Sequence, residues 1–549
     1  MNTSPRLNPF AENLRPYSTR SHEAPIELRL SGNEGAAPSP VIWEVLGKSN
    51  ADVARRYPSE SDLQSELAAR MGVTLDRIIV TAGGDDAIDR ICRMTLGPGR
   101  ELVLPTPTFE MIARYATLCG ATVREVDWRR NDFPTDAVLA EIGPQTGLIA
   151  LVSPNNPTGA VASVNDLNRL ASAAPGAVVL VDQAYAEFSD DDLTQAALEL
   201  DNAVVVRTLS KAWGLAGLRV GYALGPPRLI EALRAVGQPY AVAAPSIALA
   251  RAALREPQLM RDYVRRVRTE RESLSDVLRD LKLDPHPSQG NFILTRPADP
   301  AWLHDGLAGQ GVGIRTWPDD PKLANYARIT CPGNEADCSR LVGALRTTVE
   351  PEVLLFDMDG VLVDVSASYR TAIQQTAASF GVAVTDRDIA NAKNAGNAND
   401  DWALTDHLLR ARGVTVSLTE VTQRFESLYQ GTADRAGLFQ RETLLVNRSD
   451  LIALRKRIRL GIVTGRPRAD AQRALEQFAI QDLFDVVICR EDGPLKPDPA
   501  PVRRALEELG VSRGWMIGDT VDDIRAARAA GLLALGFQSS ADEGTARAL

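Results

Sequence analysis

The amino-acid sequence predicts an α/β protein with two successive domains, each built on a mostly parallel sheet that helices cover. Its 549 residues are too many for a single hydrophobic core. From Leu75 to about Val206, short apolar runs alternate with helical patterns, which is typical of a parallel sheet. The same alternation starts again near Thr348. We therefore predict one domain at residues 1–349 and a second at residues 350–549.

The apolar runs define the strands of both domains. In the first domain, strands are predicted at Arg77–Thr81, Glu101–Leu104, Gly147–Val152, Ala177–Val181, Ala203–Val206, Phe292–Thr295, Gly313–Arg315 and Tyr326–Thr330. The stretch from Arg228 to Leu281 is rich in helix-forming residues and predicts long helices. In the second domain, strands are predicted at Val353–Phe356, Arg459–Val463, Val486–Ile488 and Gly514–Ile517. Helical patterns at Tyr369–Phe380 and Leu418–Tyr429 predict a helical insertion after the first of these strands.

Composition and charge argue against several classes of function. The net charge of −10 argues against nucleic acid or anionic lipid as a partner. No segment approaches the roughly 18 apolar residues of a membrane span, and the N-terminus lacks the apolar stretch of a signal peptide. The five cysteines lack CxxC spacing, which suits reduced thiols. We expect a soluble, cytoplasmic protein.

Lys211 is the most informative residue of the first domain, because it stands between a predicted strand and a glycine-rich loop. A lysine there can form a Schiff base with a carbonyl cofactor, and Arg219 can hold a phosphate of that cofactor. The alternative is a solvated lysine in a surface loop. Asp182 favours the first interpretation, since it ends a buried strand at the edge of the sheet where ligands bind. Its carboxylate can pair with a protonated pyridine nitrogen.

Two further segments support a cofactor site. Asn156 ends another strand and can donate to a ring hydroxyl, although an ordinary Pro/Gly turn explains its segment as well. Gly84 and Asp85 open a predicted helix, whose N-terminus suits an anion.

Together these motifs resemble the fold-type I aminotransferases, and in particular the histidinol-phosphate aminotransferase family, over most of residues 25–349. The matching motifs are Asn33-Glu34, Arg56-Tyr57-Pro58, Gly83-Gly84-Asp85-Asp86, Pro105–Phe109, Asn155–Gly159, Asp182-x-Ala184-Tyr185, Thr208-x-Ser210-Lys211-Ala212, Arg219, Pro287–Phe292, Arg315 and Arg328-Ile329-Thr330. The resemblance implies a pyridoxal 5′-phosphate (PLP)-dependent transferase fold with a large and a small domain. It also implies transamination with glutamate as the amino donor.

The resemblance assigns a role to each matched residue. Lys211 would hold the cofactor covalently and move the proton between substrate and cofactor, and Asp182 would pair with the ring nitrogen. The other cofactor contacts would be Asn156 and Tyr185 at the ring oxygen, Phe109 on the ring face, and Gly84, Asp85, Thr208, Ser210 and Arg219 at the phosphate. Tyr57 would reach that phosphate from the other subunit of a homodimer. Substrate would bind to Asn33, Asn291, Arg315 and Arg328.

The chain departs from the family pattern in two segments. Gly35-Ala36 stands where the family usually has Asn-Pro, and Pro239–Val242 lacks an Asn that commonly follows the aromatic residue. Both segments lie near the substrate in the family, so they bear on substrate identity and not on the cofactor.

In the second domain, Asp357 and Asp359 follow directly on a predicted strand. Carboxylates suit Mg²⁺, and one of the two can attack phosphorus while the other moves protons. Such a pair also occurs by chance. Three later segments supply complementary groups, namely Thr464 after a strand, the cation Lys496, and the cluster Asp519, Asp522 and Asp523 after the last apolar strand.

This set resembles the phosphatase branch of the haloacid dehalogenase superfamily over residues 352–549. The resemblance implies a Rossmann-like core with a helical cap at about 366–442. Asp357 would be the nucleophile that becomes phosphorylated, and Asp359 would protonate the leaving oxygen and then activate water. Thr464 and Lys496 would bind the phosphoryl group. The implied Mg²⁺ ligands are Asp357, the carbonyl of Asp359, and Asp519, with Asp523 nearby.

Within the cap, residues 393–401 are a candidate specificity loop, although an ordinary polar loop explains them as well.

The two resemblances predict a bifunctional enzyme. Formation of histidinol phosphate from imidazole acetol phosphate and its dephosphorylation are successive steps, so we expect PLP-dependent transamination and Mg²⁺-dependent phosphomonoester hydrolysis in one chain. Two alternatives stay open. The fusion acts on another phosphorylated amino acid or amino alcohol, or the C-terminal half is a regulatory or binding module.

Overall fold

The computed structural model describes residues 8–12, 14, 16–17, 24–48, 51–129, 132–396 and 400–537. The chain forms two compact units, Met1–Val342 and Gly343–Leu549. Among the described residues, no helix has both the length and the apolar character needed to cross a bilayer. Of the candidate specificity loop, residues 397–399 lie outside the described part of the chain.

The first unit alternates strands and helices. Its strands are β1 (Leu28–Arg29), β2 (Ile78–Thr81), β3 (Glu101–Thr106), β4 (Thr122–Asp127), β5 (Thr146–Val152), β6 (Val178–Asp182), β7 (Ala203–Thr208), β8 (Gly221–Leu224), β9 (Phe292–Thr295), β10 (Val312–Gly313), β11 (Arg315–Thr316) and β12 (Ala327–Thr330). Its helices are α1 (Pro9–Glu12), α2 (Pro40–Gly47), α3 (Asp52–Arg55), α4 (Ser61–Met71), α5 (Gly83–Thr95), α6 (Met111–Leu118), α7 (Thr135–Ala140), α8 (Val164–Ala173), α9 (Thr194–Leu198), α10 (Pro227–Val236), α11 (Ala244–Leu254), α12 (Pro257–Asp280), α13 (Pro300–Gly309) and α14 (Glu335–Val349), the last of which continues into the second unit.

A seven-stranded sheet organises this unit, in the order β2-β8-β7-β6-β5-β3-β4. Only β8 runs antiparallel to the other strands of this sheet. Strands β5, β6 and β7 are buried along their whole length, because helices cover both faces of the sheet. The predicted mostly parallel sheet is confirmed.

A smaller antiparallel sheet, β11-β12-β9, and the parallel pair β1-β10 complete the first unit. The prediction of one strand at Gly313–Arg315 was wrong. The chain changes partner at Ile314, since β10 pairs with β1 whereas β11 pairs with β12.

The second unit has a parallel core sheet. Its strands are β13 (Val353–Phe356), β14 (Val363–Asp364), β15 (Gly431–Thr432), β16 (Arg435–Ala436), β17 (Thr443–Leu444), β18 (Arg459–Val463), β19 (Val486–Ile488), β20 (Gly514–Gly518) and β21 (Leu533–Gly536). Its further helices are α15 (Thr371–Ser379), α16 (Asp386–Ala395), α17 (Asp401–Arg410), α18 (Leu418–Tyr429), α19 (Arg448–Arg455), α20 (Arg468–Gln477), α21 (Ala500–Leu509) and α22 (Val521–Ala529). The core sheet has the order β19-β18-β13-β20-β21 and is parallel throughout.

Helices α15–α18 form a cap inserted between β14 and β17. These two strands pair antiparallel, with Val363 opposite Leu444 and Asp364 opposite Thr443. The chain therefore leaves the core and returns to it at adjacent points. Apolar side chains of α15 and α18 pack in one buried cluster with those of β13 and β18.

Candidate functional sites

A cavity of about 610 Å³ in the first unit holds most of the predicted cofactor residues. It lies where β5, β6 and β7 end and α5 begins, because parallel strands present their carboxyl ends at one edge of the sheet. Of the predicted set, the residues that line it are Gly84, Asp85, Phe109, Asn156, Asp182, Tyr185, Thr208, Ser210, Lys211, Arg219, Asn33 and Arg328.

Lys211 and Asp182 both face this cavity. Lys211 Nζ donates to the carbonyl oxygen of Gly32 at 3.0 Å and lies 5.7 Å from the centre of the Tyr185 ring. Asp182 is 4% exposed, and its Oδ1 accepts a hydrogen bond from the Ala184 N–H at 3.0 Å. Burial raises the pKa of Asp182 to about 6, in spite of that hydrogen bond and the attraction of Lys211. A buried carboxylate of this kind fits a ligand that presents a cationic N–H group.

The N-terminus of α5 forms an anion site with Arg219. Gly83 has φ +82°, which favours glycine, and a Cβ atom there would lie 2.6 Å from Arg219 Nη2 and push the guanidinium aside. Arg219 Nη2 donates to Asp85 Oδ2 at 2.7 Å, and the Thr208 hydroxyl donates to Ser210 Oγ at 2.8 Å. A helix N-terminus, two hydroxyls and a guanidinium suit a phosphate. These groups, with Lys211 and Asp182, fit PLP.

The predicted substrate residues divide into two groups. Arg328 is buried in the cavity wall and donates to Asn156 Oδ1 and to the carbonyl of Ser31. Burial lowers the pKa of Arg328 to about 10, so the guanidinium stays charged at neutral pH. Asn33 Nδ2 donates to Tyr185 Oη at 3.0 Å.

Arg315 and Asn291 are not lining residues of this cavity. Asn291 Nδ2 donates to the carbonyl of Asn33 at 3.2 Å, so it supports a residue that does line the cavity. Arg315 Cζ lies 6.0 Å from the ring of Tyr17, which also lines the cavity. No motif surrounds Tyr17, so the sequence did not point to it.

Tyr57 lies apart from the cavity. Its side chain is 81% exposed, and its ring stacks on that of Tyr240 with 4.6 Å between the centroids. Tyr57 therefore does not contribute to the cavity of its own chain.

In the second unit, three carboxylates meet at the ends of β13 and β20. Asp357, Asp519 and Asp523 each offer an oxygen atom within 4.8 Å of the others. Gly360 has φ +78°, and a Cβ atom there would lie 2.0 Å from Asp519 Oδ2. A glycine is therefore required for the loop after β13 to pass this close to Asp519.

Lys496 bridges two of these carboxylates. Its Nζ donates to Asp357 Oδ1 at 2.7 Å and lies 2.5 Å from Asp523 Oδ1. Burial raises the pKa of Asp357 well above its ordinary value, against the attraction of Lys496, and raises that of Asp519 to about 7. A divalent cation would neutralise this crowded negative charge, and oxygen ligands suit Mg²⁺. The residues thus fit the implied metal.

Asp359 is paired with Arg466. Its Oδ1 accepts a hydrogen bond from Arg466 Nε at 2.6 Å. Thr464 is buried at the end of β18, and its Oγ1 accepts the Arg466 N–H at 3.1 Å. The contact between Arg466 and Asp359 joins residues far apart in the chain, and the sequence did not predict it.

Family comparisons agree with this geometry. The model of the family described as aminotransferase class I and II matches residues 30–345, and that described as haloacid dehalogenase-like hydrolase matches residues 351–531.

Two curated relatives cover most of the first unit. A histidinol-phosphate aminotransferase from Ruegeria pomeroyi is 35% identical over an alignment of 341 residues, and the alignment covers 59% of this chain and 91% of that protein. One from Xanthomonas euvesicatoria is 35% identical over an alignment of 369 residues, which covers 64% of this chain and 99% of that protein. An imidazoleglycerol-phosphate dehydratase from Phytophthora nicotianae is 49% identical over 193 residues, or 34% of this chain, and the chain spans only 43% of its length.

Solved structures match the same fold. A putative histidinol-phosphate aminotransferase from Erwinia carotovora atroseptica has a TM-score of 0.55 and 26% identity, covering 59% of this chain and 98% of the other. A histidinol-phosphate aminotransferase from Sinorhizobium meliloti, solved with PLP, has a TM-score of 0.59 and 24% identity, covering 63% of this chain and 98% of the other. At this identity the match shows only that the two chains share a fold. The chain therefore belongs to the class I and II aminotransferase family of PLP-dependent enzymes, and it continues into a haloacid dehalogenase-like hydrolase domain.

Proposed function

We propose that this bifunctional enzyme interconverts imidazole acetol phosphate and histidinol phosphate by transamination and hydrolyses a phosphomonoester, with histidinol phosphate as the first candidate. The main support is that one cavity combines Lys211, Asp182, the anion site at α5 and the buried cation Arg328. The names of the relatives point the same way, since the aminotransferases that match over about nine-tenths of their length are named for histidinol phosphate.

In the aminotransferase half, PLP, when bound, supplies an electron sink for the bond broken next to the substrate nitrogen. Lys211 Nζ holds the cofactor and transfers the proton at the substrate carbon. Asp182 keeps the ring nitrogen protonated, and the anion site at α5 orients the phosphate. Arg328 binds the anionic end of the substrate. The amino donor is glutamate.

The exposed Tyr57 supports a homodimer in which each copy completes the other's site.

We also propose that the domains divide at 349/350, that the cap spans about 366–442, and that the enzyme is cytoplasmic. The five free cysteines support a reducing compartment.

Replacing Asp182 with asparagine is expected to stabilise the cofactor-free protein while weakening PLP binding. The unfolded chain releases the Asp182 proton near its ordinary pKa of 3.8, whereas the folded chain holds it to about 6. The stability of the cofactor-free wild type therefore falls as pH rises through this window, by about 3 kcal/mol. Urea unfolding at pH 4 and pH 7.5 measures this. The variant should match the wild type at pH 4 and exceed it at pH 7.5, with exposed Asp201→Asn as the control. If the free energies of unfolding of variant and wild type differ by the same amount at both pH values, the burial of Asp182 does not have this effect.

In the phosphatase half, Asp357 attacks phosphorus while Asp359 protonates the leaving oxygen. Lys496 and Thr464 bind the phosphoryl oxygens. Mg²⁺, held by Asp357, Asp519 and the carbonyl of Asp359, with Asp523 nearby, would balance the charge of the phosphoryl group and the carboxylates.

Mg²⁺ is expected to stabilise the second unit, because it binds the folded carboxylate cluster and not the unfolded chain. At 100 times its Kd the gain is about 2.7 kcal/mol. Calorimetric unfolding with Mg²⁺ and after chelation measures it. Asp519→Asn should lose most of the gain, while Asp482→Asn, on the surface, should retain it. Equal gains in both variants would place the ion elsewhere.

The substrate proposal is tested by adding histidinol phosphate to PLP-loaded protein without Mg²⁺ and following the absorbance of the cofactor. Conversion to the pyridoxamine form at micromolar concentrations supports the proposal. If glutamate converts the cofactor and histidinol phosphate does not, the aminotransferase stands and the substrate is wrong.

A second candidate is transamination of another phosphorylated amine. Gly35, which departs from the family pattern, packs directly on the lysine loop, and a Cβ atom there would lie 2.2 Å from the carbonyl oxygen of Lys211. The bulkier Asn of the family does not fit this backbone. The segment after Asn33-Glu34 therefore packs on the backbone of the Lys211 loop in a way that the family's Asn would not allow.

A further inference from the structure

Arg466 joins Asp359 to the cap through a buried ion-pair network. The Arg466 side chain is 1% exposed and that of Glu442 is 2% exposed. Arg466 Nε donates to Asp359 Oδ1 at 2.6 Å, and Nη1 donates to Glu442 Oε2 at 3.0 Å. Its Cζ lies 5.1 Å from the centre of the Tyr369 ring. One planar guanidinium thus fixes two carboxylates from different segments.

Glu442 ties this network to both ends of the cap. It directly precedes β17, where the chain returns to the core, and Ser368 lies where the chain enters the cap. Glu442 Oε1 accepts hydrogen bonds from Ser368 Oγ at 2.9 Å and from Tyr429 Oη at 3.0 Å. The orientation of Arg466 therefore depends on the position of the cap.

Arg466 and Asp359 also line one small cavity between cap and core, together with Trp402 of the cap. Among the described residues, Arg466 Nη2 has no hydrogen-bond partner. A buried donor without a partner is unfavourable, so a ligand acceptor in this cavity would satisfy it. In the proposed reaction the leaving oxygen has to reach Asp359, which lines this cavity.

We propose that Arg466 is a positioning residue for the phosphatase reaction, which holds Asp359 in the rotamer that protonates the leaving oxygen, and that Glu442 makes this placement depend on the cap. The inference rests on the proposed role of Asp359. With Oδ1 held by Arg466, Oδ2 is the oxygen that delivers a proton during the reaction. As Asp357 bonds to phosphorus and the bond to the leaving oxygen breaks, that proton moves to the leaving oxygen.

The test compares two aryl phosphates with Mg²⁺-loaded full-length enzyme. p-Nitrophenolate is a weak base and leaves without protonation, whereas the leaving group of phenyl phosphate is more basic and needs the acid. Arg466→Gln is expected to lower kcat/KM for phenyl phosphate by about 10²-fold and that for p-nitrophenyl phosphate by less than about 5-fold. Glu442→Gln keeps the hydrogen bonds to Ser368 and Tyr429. It should also lower kcat/KM more for phenyl phosphate than for p-nitrophenyl phosphate, but by a smaller factor than Arg466→Gln. Arg473→Lys, in the same region without contact to Asp359, is the matched control and should show none.

A double-mutant cycle separates positioning from a general loss of structure. If Arg466 acts through Asp359, adding Arg466→Gln to Asp359→Asn should lower kcat/KM for phenyl phosphate no further. Additive losses, or equal losses for both substrates, overturn the inference. The proposed phosphatase function is tested separately by the wild type, which must hydrolyse p-nitrophenyl phosphate with Mg²⁺. If it does not, the function fails and the inference fails with it.

Discussion

Lys211→Ala is expected to lower the turnover of transamination by at least about 10³-fold, within the range for loss of a general acid–base group. The structure supports this because Lys211 Nζ lies in the cavity, 5.7 Å from the Tyr185 ring centre, on the wall that also carries Asp182. Alanine removes both the covalent attachment of the cofactor and the amine that moves the proton. The variant should also lose the visible absorbance of the covalently bound cofactor.

Two measurements distinguish this result from unfolding. The phosphatase activity of Lys211→Ala should be unchanged, since Asp357 and its partners lie in the other compact unit. Lys322→Ala serves as the control because it removes a partly exposed ion pair with Glu125, which contributes at most about 1 kcal/mol. A Lys211→Ala protein that still transaminates would show that another amine does this chemistry.

Asp357→Asn is expected to lower phosphomonoester hydrolysis by at least about 10⁴-fold and to leave transamination intact. Asparagine keeps the shape of the side chain and an acceptor for Lys496, but its amide is a poor nucleophile. It also removes one of the three crowded carboxylates. The folded state of the second unit should therefore tolerate the change while the chemistry does not.

The Asp357→Asn variant also tests whether the C-terminal half is an enzyme or a regulatory module. Hydrolysis of p-nitrophenyl phosphate that requires Mg²⁺ and disappears in Asp357→Asn supports a working phosphatase. Asp498→Asn, an exposed change two residues beyond Lys496, should keep full activity. A wild type that hydrolyses no phosphomonoester would favour the regulatory or binding role for the C-terminal half.

The sequence predicted strands best where burial is complete. Strands β5, β6 and β7 are apolar throughout because both faces are covered, so their positions are visible in the sequence. Strand β4 was not predicted, since it is an edge strand with one buried residue. The antiparallel insertion of β8 between β2 and β7 depends on distant pairing, for which the sequence carries no local pattern.

In the two sites as well, local features could be predicted from the sequence and tertiary contacts could not. Residues within motifs, such as Lys211 and Asp357, could be located because a strand end and its loop are local features. Tyr17 and the contact between Arg466 and Glu442 could not, because tertiary approach brings these residues to their partners. The orientation of Asp359 belongs to this second group, since Arg466 lies more than a hundred residues away in the chain.

The paired strands β14 and β17 make the cap exchangeable. Because Val363–Asp364 and Thr443–Leu444 lie side by side, the chain between them begins and ends at one place on the core. Lengthening, shortening or replacing that segment leaves the order of the core sheet unaffected. The reacting groups Asp357, Lys496 and Asp519 belong to loops outside it. Over evolution, one hydrolytic centre can therefore acquire new substrates by changing this insertion, as long as the apolar side chains of α15 and α18 that pack with those of β13 and β18 are kept.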